Sequence, residues 1–376
     1  MIQTQRLTAA LTPLDVALRL LCGDLKPVDA IEVSLAEAIG RVAAETSPLK
    51  AALPAFNTAT TDGWALRAYD IVGASSYSPL QLAKSLRWVE AGERLPDDCD
   101  CVLDADLVEQ AGPLFQVLAE AVPGQGIHRA GDDIAAGCSI VEAGRRIDAV
   151  DALAIRAAGV ERVAVRLPHV RVIDVRAADG SAATSQFTFD FAKAAGARVT
   201  MSQTSGRDVA SISSVLGAEA CDLLVTVGGT GGGRMDATIH AIKERGMLLA
   251  HGLALQPGRT AGVGKIGATP VVAVPGLPDQ ALSACLALVQ PVLDQLTARL
   301  PRQEMIRPLA RKISSAIGVA EIALLKMSDQ AWMPLATGQL SLDAIVSADA
   351  WLAVPGNSEG YAAGTPVGAF PLREMS

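Results

Sequence analysis

The stretch LLVTVGGTGGGRMDATIHAIKER, residues 223–245, carries three signals in series. Leu223–Val227 is a short apolar run of the kind that forms a strand buried on both faces of a parallel sheet. Gly228, Gly229, Thr230, Gly231, Gly232 and Gly233 then make a loop that ends at Asp236. A helical pattern follows over Ala237–Arg245. Strand, glycine loop and helix form one unit of an open α/β sheet, in which ligands sit beyond the carboxyl ends of the strands. Glycines let backbone N–H groups approach an anion, and a helix N-terminus adds partial positive charge. No Lys follows the glycines, so this is not a P-loop, and no acid is placed as in a first dinucleotide-binding unit. A flexible, ligand-free turn is the competing explanation of the same residues. Asp236 is expected either to cap the following helix through Thr238 or Ile239, or to hold a magnesium ion or a ligand hydroxyl.

On either side of it, Val170–Val175 and Val271–Val274 read as further buried strands. Phe187–Ala195 and Arg207–Leu216 read as helices. A long Ala/Leu helix is predicted from Pro278 to Leu300, with Pro291 kinking it. The alternation predicts a three-layer α/β domain over residues 169–300. Two sharp turns join the glycine loop as candidates: Pro275-Gly-Leu-Pro278, which includes Gly276, and Gln256-Pro-Gly-Arg259, whose Arg259 offers a forked cation. Each alone reads as an ordinary surface turn. Together they predict an anion-binding crevice along one rim of the sheet.

The flanking regions have a different texture. Thr12 is expected to cap a helix that starts at Pro13 and stops at Gly23. Residues 46–125 alternate in short runs between Gly, Pro and Asp turns and predict a β-rich domain. Residues 1–45 and 126–168 read as a discontinuous N-terminal domain. Residues 301–376 predict a small β domain with strands at Arg307–Ile313, Ala320–Met327 and Ala350–Pro355. In the β-rich region, Asp62-Gly63 is a turn by itself, but its acid lies among small hydroxylated residues and is a candidate ligand group. Arg129-Ala-Gly-Asp-Asp133 is similar. Such an Arg and its carboxylates read either as a solvated ion pair or as a clamp contributed across an interface.

Composition sets outer bounds. The chain has 376 residues, half of them hydrophobic, and a net charge of −8. This argues against a general nucleic-acid binder, which needs a basic face. No apolar run reaches 18 residues, and the N-terminus lacks the layout of a signal peptide, so a cytoplasmic protein without a membrane span is expected. Of the six cysteines only Cys99 and Cys101 lie close together, and the four histidines are dispersed. That excludes zinc-site and hydrolase-triad readings.

In order along the chain, these segments resemble the MoeA/gephyrin family of molybdenum-cofactor proteins. Asn57–Ala65 resembles N-[ST]-A-[MV]-D-G-[YF]-A, with Asn57 one residue too far from Asp62. Residues 91–102 resemble TGAP-x-P-x-GADAVV, and Arg129–Ile134 resembles R-x-x-G-[ES]-D-[IV], with His128 at the Arg position. Val225–Thr238 resembles T-[ST]-GG-V-S-x-G-x-x-D-x-[TV]. Gly252–Arg259 resembles the stretch ending in PGKP, and Pro275–Pro278 resembles PGNP. The resemblance implies an elongated homodimer with a flavodoxin-like (MogA-like) α/β domain and several β-rich domains. The implied reaction inserts molybdate into adenylylated molybdopterin with Mg²⁺ and releases AMP. A molybdoenzyme or a MogA-like protein is the further partner it allows.

Carried over by position, Asp62, Asp133 and Asp236 are the implied catalytic acids. Gly228, Gly229, Thr230, Gly231, Arg259, Pro275, Gly276, Pro278 and Arg129 are the implied ligand-binding residues. Asp236 and Asp179 are the implied magnesium ligands. Several polar positions of the family are missing. Its Thr is Ala91, its Ser in the glycine loop is Gly231, two of its Lys are Gly252 and Gln256, and its Asn is Leu277. The S-T-G-D-E segment becomes Arg176–Gly180, which keeps only Asp179. A non-catalytic member that binds the pterin cofactor or a partner protein is therefore the alternative to a transferase.

Overall fold

The computed structural model describes residue 5 and residues 10–45, 48–83, 85–111, 114–176, 180–217 and 219–373. The chain forms two compact units. One comprises residues 1–45, 143–149 and 162–376, the other residues 46–142 and 150–161.

The first unit is built on a six-stranded sheet. Its elements in chain order are α1 (Leu14–Cys22), β1 (His169–Asp174), α2 (Ala183–Ala194), β2 (Arg198–Gln203), α3 (Val209–Leu216), β3 (Leu223–Val227), α4 (Thr238–Arg245), β4 (Met247–His251), β5 (Gly262–Ile266), β6 (Thr269–Val274), α5 (Pro278–Ala284) and α6 (Gln290–Leu296). The strand order is β2-β1-β3-β6-β5-β4. The first four run parallel, while β5 and β4 return antiparallel. Alternation of side chains explains the layering. Val170, Val172, Val225 and Val272 face a core formed with α1, α5 and α6. Ile173, Leu224, Val271 and Ala273 face a second core, with Ile212, Leu216, Ile239 and Ile242 of α3 and α4. All of β3 is buried, and each Val or Leu placed so contributes about 1.5–3 kcal/mol. This is the expected three-layer α/β arrangement.

A second sheet belongs to the same unit. It runs Thr12–Pro13, Leu253–Gln256, Ala320–Ser328, Ala350–Val354, Pro366–Pro371, Met305–Pro308, and Ala331–Thr337 also pairs with Ala320–Ser328. Its Ile322 and Leu324 share the core that contains α5 and α6. Thr12 is therefore not the cap of α1, as the sequence suggested. It hydrogen-bonds Gly252 as part of a short strand, and Pro13 takes the cap position without a side-chain bond.

The predicted helix from Pro278 to Leu300 stops at Leu296 and contains one wide turn, Cys285–Val289. There Gln290 N donates five residues back, to Cys285 O. Pro291 has no N–H to offer, and a widened turn absorbs that loss inside a buried helix.

The second unit is made of small sheets. Gly63–Leu66 lies between Arg87–Val89 and Cys101–Asp104, and Leu114–Val117 lies between Leu80–Leu82 and Val108–Ala111. Thr58–Ala59 pairs with Ile127–His128. Trp64 packs edge-on against Trp88 and Phe115, with ring centroids 5.3 and 5.2 Å apart.

Candidate functional site

A cavity of about 680 Å³ opens beyond the carboxyl ends of β1, β3 and β6. β3 runs into the glycine loop and β6 into the Pro275–Pro278 turn, so Gly228–Gly231 and Pro275–Pro278 line it together. The turn packs closely, and a Cβ on Gly276 would stand 3.5 Å from the Cα of Gly228. Thr260, just after the third predicted segment, lines the same rim, whereas Gln256–Arg259 themselves lie outside the lining and Arg259 is exposed.

The loop's conformation depends on its glycines. Gly229 has φ +65°, and a Cβ there would lie 2.5 Å from Thr238 Oγ1. That hydroxyl donates to Gly228 O at 2.8 Å and is buried. Gly228 N donates to Val274 O at 2.9 Å, so its N–H is already used. Among the described residues, the next three N–H groups, of Gly229, Thr230 and Gly231, have no acceptor in the protein.

Asp236 does not cap α4. Its Oδ2 accepts from Gly233 N at 2.9 Å, and its Oδ1 from Arg207 Nη2 at 3.3 Å. The cap is supplied from a distance. Gln5 Oε1 accepts from Ile239 N at 2.7 Å, while Gln5 Nε2 donates to Gly229 O and Gly231 O at 3.0 and 2.9 Å. Gln5 thereby fixes both the loop and the first turn of the helix.

Sequence reading passed over several lining residues. Asp174, the last residue of β1, is buried. It accepts from Ser185 Oγ at 2.5 Å and from Gln203 Nε2 at 2.8 Å. Its place at a strand's carboxyl end was the available signal. Arg207 precedes α3 and lines the cavity, and among the described residues its buried Nε has no partner. Thr184 Oγ1 donates to Gly276 O at 2.8 Å. No local pattern marks Arg207 or Thr184. Behind the loop, His251 Nε2 lies 2.9 Å from Thr230 O, and burial pulls its pKa below the usual value.

The described residues do not assemble a metal site of three or more His, Cys, Asp or Glu. Asp236 is engaged by Arg207 and Gly233, Asp174 by Ser185 and Gln203. Asp179 lies outside the described residues.

The remaining candidates lie in the second unit. Asp62 Oδ1 accepts from Ala91 N at 2.8 Å. Asp133 Oδ1 is 3.0 Å from His128 Nε2, both partly exposed. Arg129 Nη2 reaches Pro123 O at 3.5 Å, and Arg129 N donates to Asp132 Oδ2. Pairing of Thr58 with His128, together with a 3.0 Å bond from Ala130 N to Asn57 Oδ1, joins the two motif-bearing segments.

Comparison with known proteins finds two matching families along the chain. Residues 12–159 match the MoeA N-terminal region (domain I and II), and residues 175–295 match the family described as "Probable molybdopterin binding domain". Molybdopterin molybdenumtransferase 2 of Mycobacterium tuberculosis is 26% identical, covering 91% of this chain and 95% of that protein. The molybdopterin molybdenumtransferase of Bacillus subtilis is 23% identical, with 96% and 94% covered. The crystal structure of the molybdopterin biosynthesis MoeA protein from Pyrococcus horikoshii superposes with a TM-score of 0.76 at 24% identity, over 97% of this chain and 100% of that one. The chain belongs to the MoeA family of molybdenum cofactor biosynthesis, as a divergent member.

Proposed function

We propose that the cavity binds adenylylated molybdopterin and that the chain inserts molybdate into it with release of AMP. The observation that carries this reading is that the amides of Gly229, Thr230 and Gly231, and the Nε of Arg207, which lines the same cavity, have no partner among the described residues. Fixed donors of this kind hold a phosphoryl group and stabilise the charge that develops when the pyrophosphate link breaks. Asp236 orients Arg207. Leu277, 60% exposed, adds an apolar surface at the lip against which a planar ring can rest. No step is assigned to magnesium, because the carboxylates facing the cavity already serve protein donors.

The chain acts in this reading as a homodimer in which Asp62, Asp133 or Arg129 of one subunit faces the glycine loop of the other. A cytoplasmic location and a molybdoenzyme or MogA-like partner fit the same role. Among the described residues no helix is long and apolar enough to cross a membrane.

The test is AMP release from adenylylated molybdopterin supplied with molybdate and Mg²⁺. Arg207→Ala is expected to slow release about a hundredfold, as for loss of one donor to a developing oxyanion. A folded wild-type protein that releases no AMP under conditions where another family member does would overturn the transferase reading. The engaged state of Asp236 and Asp174 favours one alternative, a member that binds the pterin without catalysing transfer. Tight binding of the substrate without AMP release is its signature.

A further inference from the structure

The first unit contains another cavity, of about 530 Å³, whose lining shares no residue with the glycine-loop cavity. Among the described residues, four arginines line it, Arg146, Arg299, Arg302 and Arg373, and no acid does. In a chain of net charge −8, this concentration of cations runs against the average.

Three of the four have acceptors. Arg302 forks onto Asp294 at 2.8 and 3.0 Å. Arg146 donates to Gly40 O and Ala194 O, each at 3.0 Å. Arg373 donates to Ile345 O at 3.0 Å. Arg299 differs. Its side chain is 19% exposed, and its nearest carboxylate oxygen, Asp294 Oδ1, is 4.0 Å away. That oxygen already accepts from Arg302 and from Gln290 Nε2. Among the described residues, the Arg299 guanidinium has no hydrogen-bond acceptor. Burial, and then the adjacent Arg302 cation, lower its pKa, with Asp294 opposing. A largely desolvated cation beside other cations is costly unless an anion completes it.

The same lining carries aromatic rings. Trp351 and Phe370 lie with ring centroids 5.3 Å apart, tilted by 37°, and Phe191 adds a third ring. Guanidinium forks match the oxygens of a phosphate, and aromatic faces take a planar ring. The volume falls in the range of small-ligand sites.

We propose that this cavity is a second ligand site, for a phosphomonoester that carries a planar aromatic ring. Arg299 and Arg373 take the phosphate, and Trp351 and Phe370 take the ring. The inference is independent of the transferase reading.

The probe is adenosine monophosphate, titrated against intrinsic tryptophan fluorescence. Trp64 and Trp88 lie in the other unit, and Trp332 is fully buried, so Trp351 is the reporter. The wild type is expected to show a saturable quench that disappears in Trp351→Phe and persists in Asp236→Asn, which alters only the glycine-loop cavity. Arg299→Gln and the more exposed Arg373→Ala should each weaken binding by about tenfold, corresponding to about 1.4 kcal/mol, with unfolding midpoints near the wild type. Adenosine and inorganic phosphate should each bind more weakly than the monophosphate. A quench that survives in Trp351→Phe, no signal at millimolar nucleotide, or unchanged affinity in both folded arginine variants would overturn the site. Phosphate binding as tightly as the nucleotide would overturn the role of the rings.

Discussion

At the scale of single residues, the site is a set of short-range commitments around the glycine loop. Thr230 is buried, with its carbonyl on His251 and its hydroxyl 3.3 Å from that of Thr260. His251 sits in this shell with its pKa lowered mainly by burial. Folding therefore favours the neutral imidazole. The unfolded chain takes up the proton near pH 6.5, ahead of the folded state. Stability that is complete above that pH is lost as the pH falls toward the folded-state value. Urea-unfolding midpoints should fall on acidification below about pH 6.5, and His251→Asn should flatten that part of the profile. An unchanged slope in the variant would remove His251 from the account. Cys285 is different. Its thiol, fully buried, is pushed up to about 12 by burial, and it stays protonated through the working range.

At the scale of elements, the decisive device is a long-range cap. Gln5 ties the glycine loop to α4 through three hydrogen bonds. Gln5→Ala should cost about 1–3 kcal/mol, since the bonds are buried or partly buried and their partners are left unsatisfied. Amide exchange should accelerate at residues 229–239 before the rest of the sheet, whereas a uniform loss of protection would contradict a local role. The strand-loop-helix unit was legible because its signals are contiguous: a mostly apolar β3, glycines at its end, then a helical pattern. Gln5, Arg207 and Thr184 were not legible, because each reaches the site across a separation that no local pattern encodes. The same limit explains Thr12, whose capping chemistry was overridden by strand pairing with Leu253. The strand Ala331–Thr337 was missed for a local reason: it pairs with Ala320–Ser328 through the two-residue turn Asp329-Gln330, both residues at positive φ, which lacks the glycine that usually marks such a turn. Pro291 announced a disturbance correctly, but whether a helix kinks or widens depends on the core around it.

For the whole molecule, sequence divergence and fold retention have separate physical causes. The cores consist of Val, Leu, Ile and Ala that tolerate exchange at constant volume, so a TM-score of 0.76 survives at 24% identity. Polar positions have no such tolerance, and by the motif resemblance Ala91, Gly231, Gly252, Gln256 and Leu277 replace hydroxyls, cations or an amide. What remains is a backbone cradle, and backbone amides do not depend on side-chain identity. In the proposed function this cradle grips the phosphates. A crystal structure of the complex with adenylylated molybdopterin tests it most directly. The account predicts phosphate oxygens against the N–H groups of Gly229, Thr230 and Gly231 with Arg207 Nε on the same group, and Asp62 or Asp133 of a second subunit facing them. A ligand seated elsewhere, with those three amides still unpartnered, would contradict it.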